Sequence, residues 1–173
     1  MEQQFQYYAF ISYKREDEKW AKWLQDRLRW YKLPSKLCRQ ITRLPKKVWP
    51  VFRDNTDLDS GRLEENIRHE LERSHYLIVI CSPEAARSPW VGKEVKYFAT
   101  LHGADKIIPF VVSGIPYSND IETECIHEQI KAISQEELLA INVREEGIGS
   151  FAMKKKRAFI RVVARLLDIK FNT

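Results

Sequence analysis

An indole and a carboxylate four residues apart, Trp90 and Glu94, are the pair in this chain whose types and spacing best suit chemistry. On a helix, positions i and i+4 share a face, so both side chains can line one cleft. A lone glutamate on a helix is ordinarily a solvated charge. It becomes a candidate catalytic group only where the fold delivers it to a concave, partly dry site. Two other polar clusters follow apolar runs: Ser12-Tyr13-Lys14-Arg15, and the stretch from Arg53 through Asp57 and Leu58 to Gly61.

The elements that must position these residues are readable from periodicity. Tyr76–Cys81 is an apolar block broken at Ser82-Pro83, and the chain restarts at Ser88-Pro89-Trp90. This reads as a buried strand, a loop, and a helix carrying Glu94 on its first turns, closed by Gly103. Phe5–Tyr13 reads as a strand covered on both faces. Trp20, Trp23, Leu24, Leu28 and Tyr31 give a helix stopped by Pro34, and residues 33–47 a long, basic, exposed loop. Val48–Phe52 is a short strand whose Pro50 argues for a sheet edge. Leu63, Ile67 and Leu71 mark a further helix, Ile107–Val112 a strand, residues 126–133 a short helix, Ala140–Val143 a last edge strand, and Phe151–Ile169 a terminal amphipathic helix. Pro109 sits awkwardly, because its strand should be internal and proline cannot donate to a ladder. Strands alternating with helices in this way specify a parallel, doubly wound α/β sheet of about five strands with ligands at its carboxyl edge.

The 173 residues, 44% hydrophobic and 31% charged, suit one domain with one substantial core, spanning 5–170. No run approaches the roughly 20 apolar residues of a membrane span, and Met1–Gln4 begin no secretory signal, so the expected setting is cytoplasmic, with no membrane partner. Cys38, Cys81 and Cys125 are odd in number and widely spaced, which fits a reducing compartment. The net charge of +5 is densest at Lys154–Arg157, but this run opens an apolar periodicity and lacks interleaved aromatic platforms. It reads as a solvated helix face, and no nucleic-acid partner is expected. The six glycines form neither a dinucleotide fingerprint nor a phosphate loop, the four histidines show no ligand spacing for a metal, and no serine sits in a nucleophile elbow.

Four separated segments resemble the TIR (Toll/interleukin-1 receptor) domain family. They are Ala9–Tyr13; Val51–Asp54 with Asp57, Leu58 and Gly61; Leu77–Pro83 with Ser88, Trp90 and Glu94; and Ile107–Phe110. The third is similar to the family segment in which a serine, a tryptophan and a glutamate follow the third strand. The last makes Pro109 a family feature. The resemblance implies a flavodoxin-like three-layer fold with a five-stranded parallel sheet in the order 2-1-3-4-5, flanked by helices. It also implies one of two activities. Some members are adaptors that act by self-association. Others, including bacterial stand-alone members such as the TIR component of Thoeris-like antiphage systems, cleave NAD between nicotinamide and ribose.

For the enzymatic branch the resemblance assigns Glu94 as the catalytic residue. Ser12, Tyr13, Lys14, Arg15, Arg53, Asp57, Leu58, Ser88 and Trp90 are then expected around the substrate, with NAD as substrate and no cofactor or metal. The pyridinium leaves as a neutral base, so the demanding species is the oxocarbenium-like cation left behind, which a carboxylate can stabilise. Lys14 and Arg15 would meet the diphosphate, Trp90 would stack on nicotinamide or ribose, and Arg53, Asp57 and Leu58 would wall the site. Water yields ADP-ribose, and attack from within the same molecule yields a cyclic isomer, a signal that a downstream effector can sense. The alternative is a non-enzymatic module working through contacts at residues 53–61. Nucleoside 2-deoxyribosyltransferase-like chemistry on this general fold also uses a glutamate but fits that loop less well.

Overall fold

A computed structural model describes residues 5–54, 61–134 and 139–169, with residues 61–64 described by their backbone only. In chain order the elements are β1 (Tyr7–Ser12), α1 (Glu18–Trp30), α2 (Ser35–Gln40), β2 (Val51–Arg53), α3 (Gly61–Glu72), β3 (Ser74–Cys81), α4 (Pro83–Ala86), α5 (Pro89–His102), β4 (Ile107–Val111), α6 (Glu128–Ile133), β5 (Ile141–Asn142) and α7 (Phe151–Leu166). The sheet is wholly parallel, as the alternation of strands and helices predicts, in the order β2-β1-β3-β4-β5 that the family resemblance implies, and β2 with its neighbouring proline stands at an edge. Among the described residues no helix is long and apolar enough to cross a membrane.

Strand side chains alternate between faces, and here both faces are dry. Ala9, Ile11, Tyr76, Ile78, Ile80, Ile108 and Phe110 pack with α1 and α7. Phe10, Leu77, Val79, Cys81, Ile107 and Val111 pack with α3, α5 and α6. This explains the unbroken apolar runs, since a strand covered on both sides has no polar positions to alternate with.

The alternation also accounts for Pro109. The Val112 N–H donates to Cys81 of β3, whereas the Val111 carbonyl accepts from Val143 beyond β5. Pro109 shares the parity of Val111, so its nitrogen faces β5, and β5 begins only opposite Phe110. The missing donor therefore falls where no ladder partner stands. The Ile107 carbonyl on that same edge is capped by the Arg165 guanidinium at 3.2 Å, which also bonds the Leu139 carbonyl at 2.8 Å.

Two expectations are corrected. Residues 33–47 are not simply an exposed loop: they contain α2, Leu33 and Leu44 are buried, and the excursion closes through a Leu33 N–H to Lys46 carbonyl bond. The six residues of α2 carry only Leu37 and Cys38 as adjacent apolar positions, which show no helical period. The basic run on α7 does have aromatic company. The Lys155 ammonium lies 4.7 Å from the Trp23 ring centroid and 5.1 Å from that of Trp20, while Lys154 and Arg157 bond backbone carbonyls of residues 144–148. Three of these charges are thus engaged within the fold.

Candidate functional site

Helix α5 delivers the acid. Its start is set by Ser88, whose hydroxyl accepts the Val91 N–H at 3.2 Å, with Pro89 at the first helical position, where no N–H is needed. His127 anchors the same point from α6. Its Nδ1 accepts the Gln129 N–H, so the ring is the tautomer whose Nε2–H donates to the Ser88 carbonyl at 2.9 Å. That ring lies so close to Gly92 that a Cβ there would stand 2.5 Å from its Cε1. Glycine is thus required by packing one turn into the helix.

From this start, Glu94 enters the sheet end 3% exposed. Its Oε1 accepts the Ser12 hydroxyl at 3.0 Å, and its Oε2 is buried with no hydrogen-bond partner among the described residues. The Trp90 indole N–H, from the same helix face, donates to Asp54 Oδ2 at 3.3 Å. Burial, and after it the charge of Asp54, push the Glu94 carboxyl well above the ordinary carboxylate range; the Ser12 hydroxyl and the Trp90 side chain oppose this. Between α3 and α5 a cavity of about 330 Å³ reaches Glu94, floored by Ile67, Leu71, Trp90 and Tyr97 and rimmed by Arg68, Lys93 and Lys96.

The alternation of strand side chains divides the other sequence-predicted residues between the two faces. Tyr13 and Arg53 fall on the α1 side. There the Arg53 guanidinium donates to the Tyr13 hydroxyl and the Gln25 side-chain carbonyl, each at 3.0 Å, and lies 3.7 Å from Glu18. Lys14 and Arg15 stand in the turn between β1 and α1, half-buried and exposed respectively. That turn is pinned by Asp17, which accepts the Ser82 hydroxyl at 2.5 Å in a buried bond joining it to the end of β3. Ser88 spends its hydroxyl as a helix cap and is 3% exposed, so it shapes the site from behind. Asp57 and Leu58 lie outside the described residues.

The structure thus gathers Ser12, Trp90 and Glu94, and adds Asp54, which the sequence reading quoted in a motif but left out of the site. Register carries the missing signal. Ile11 pairs with Arg53, so the next residues along, Ser12 and Asp54, stand side by side on the α5 face. Among the described residues no group of three or more His, Cys, Asp or Glu can hold a metal ion.

This arrangement, a buried acid at the carboxyl edge of a 2-1-3-4-5 sheet, was compared with known proteins. A sequence profile of the TIR domain matches residues 9–137. The chain is 36% identical over 110 residues to the NAD(+) hydrolase ApTIR of Actinoplanes sp.; the match covers 62% of this chain and 14% of that much longer relative. It also superposes on the TIR domains in the structure of the activated Roq1 resistosome directly recognizing the pathogen effector XopQ, with a TM-score of 0.59 and 14% identity, covering 89% of this chain and 98% of the other. With the profile covering most of the folded residues and the sheet order in agreement, the chain belongs to the TIR domain family.

Proposed function

We propose that this TIR domain cleaves NAD at the nicotinamide–ribose bond, with Glu94 as the catalytic residue. The observation that carries the reading is the buried Glu94 carboxyl, held by Ser12 through one oxygen, without a partner at the other among the described residues, and lining a cavity. The name of the Actinoplanes relative, an NAD(+) hydrolase, supports it. Burial keeps the carboxyl protonated more readily than usual. A substrate bearing a cationic pyridinium reverses that balance, because an opposite charge a few ångströms away favours the ionised form. The carboxylate then faces the ribose as the C1′–N1 bond breaks, the electron pair leaves with neutral nicotinamide, and the oxocarbenium charge develops beside Glu94. Water adds at C1′ and releases a proton to give ADP-ribose; attack by another nucleophile of the same molecule gives a cyclic isomer.

Trp90 and Tyr97 supply aromatic walls for the ring, and Lys14 and Arg15 meet the diphosphate. No cofactor or metal is needed in this scheme. The product serves as a signal in bacterial antiphage defence, sensed by a downstream effector, in a cytoplasmic setting that fits three free cysteines. Self-association accompanies activity. In support, Trp30 is 69% exposed beside Trp23, Tyr31 and Phe159, an aromatic surface of the kind that marks protein contacts. The alternative, a non-enzymatic scaffold working through contacts at residues 53–61, would self-associate without turnover.

The test is nicotinamide release from NAD by the wild type and Glu94→Ala over a range of protein concentrations, with products identified by mass. Glu94→Ala is expected to lose on the order of 10²-fold or more, by analogy with removal of a single group that stabilises transition-state charge. Wild-type turnover per molecule is expected to rise with concentration. Equal rates in two folded proteins would remove Glu94 from the mechanism, and no turnover at any concentration would favour the scaffold.

A further inference from the structure

Asp54 is 7% exposed, on the residue directly after β2, and the sequence gives it no task. Three geometric observations converge on it. It takes the indole N–H of Trp90, the aromatic residue one turn before Glu94. It stands next to Ser12 by the β1–β2 register, one strand spacing of about 4.8 Å away, and Ser12 is the hydrogen-bond donor to Glu94. It also shares the buried α5 face with the Glu94 oxygen that has no partner among the described residues. Two acids and two neutral donors therefore close into one cluster, Ser12–Glu94 and Trp90–Asp54, whose members come from β1, β2 and α5.

We propose that Asp54 is a positioning residue for Glu94: it fixes the Trp90 indole and, by its negative charge, disfavours ionisation of Glu94 until a cationic ligand enters. This rests on the proposed NAD cleavage for its catalytic consequence, although the pairing of the two acids does not. A neighbouring negative charge in a dry site disfavours ionisation of a buried carboxyl. The direction in which burial and Asp54 move Glu94 agrees with this. Among the described residues, the other ionisable groups lining the cavity with Glu94 are Arg68 from α3 and Lys93, Lys96 and Tyr97 from α5. These cations lie toward solvent, where their influence is screened. A pyridinium arriving in the cavity supplies the positive charge that favours release of the Glu94 proton to solvent, and ionisation of Glu94 is thereby tied to occupancy by a cationic substrate.

The experiment compares wild type, Asp54→Asn and Trp90→Phe in the full chain. The acidic limb of kcat/KM for nicotinamide release reports Glu94 in the free protein. Asp54→Asn is expected to move that limb to lower pH by about one unit, because the repelling charge is gone while a side-chain carbonyl remains to accept from Trp90. Trp90→Phe keeps the Asp54 charge and is expected to lower the plateau without moving the limb downward. A readout free of turnover is the infrared carbonyl band of a protonated carboxyl, taken as a difference against Glu94→Gln without NAD. In Asp54→Asn this band should disappear at a lower pH than in the wild type. If the wild type does not cleave NAD, the proposed function fails and the infrared titration alone decides the assignment of Asp54. If the limb and the band of folded Asp54→Asn coincide with those of the wild type, the assignment of Asp54 is overturned and the activity stands.

Discussion

Ser88 shows how one residue type can satisfy a motif and yet do something other than touch a ligand. Its hydroxyl accepts the Val91 N–H, and its carbonyl takes the His127 ring N–H, so both oxygens serve the start of α5. Ser88→Ala is expected to lose about 1 kcal/mol of stability, as removal of a serine cap generally does, measured by chemical denaturation. Its effect on substrate affinity should be small beside that of Glu94→Ala. Glu94 and Trp90 were legible in the sequence because helical spacing places them on one face. Asp54 was not legible as their neighbour, since it is 36 residues from its Trp90 partner and the connection exists only through the sheet.

At the scale of elements, the close approach of α5 and α6 holds the acid in register with the sheet. Gly92 lies where the His127 ring presses on α5, with space for no Cβ. Gly92→Ala is expected to destabilise the fold by roughly 1–3 kcal/mol despite alanine's better helix propensity, because overpacking outweighs that gain of about 1 kcal/mol. Thermal denaturation of the two proteins checks the sign, which propensity alone would give the other way. The long elements were readable from periodicity, and the edge strand β5 from its apolar residues, whereas α2 and α4, six and four residues long, showed no period. The place of Pro109 was equally hidden, because it depends on how soon β5 joins the ladder.

For the molecule as a whole, burying Glu94 links function to stability. Its ordinary value is 4.5, and the folded carboxyl lies well above that. Below pH 4.5 both folded and unfolded chains hold the proton, so no difference arises. As pH rises past that value the unfolded chain releases its proton while the folded one retains it, and stability falls until the folded carboxyl ionises too. Glu94→Gln cannot ionise and keeps the carbonyl that accepts from Ser12. It is expected to be more stable than the wild type near pH 7, with the advantage gone at about pH 4, as denaturant midpoints at the two values would show. The local chain by itself determined the alternation of strands and helices, the edge position beside Pro50, the α5 face bearing Trp90 and Glu94, and the family motifs, since these depend on side-chain periodicity and neighbouring residues. Only the tertiary structure decided which polar residues meet. The parity of each strand end sends Ser12 and Asp54 to the α5 face and Tyr13 and Arg53 to the α1 face, and a one-residue slip of β2 against β1 would swap Arg53 and Asp54 between the faces and separate Asp54 from Ser12.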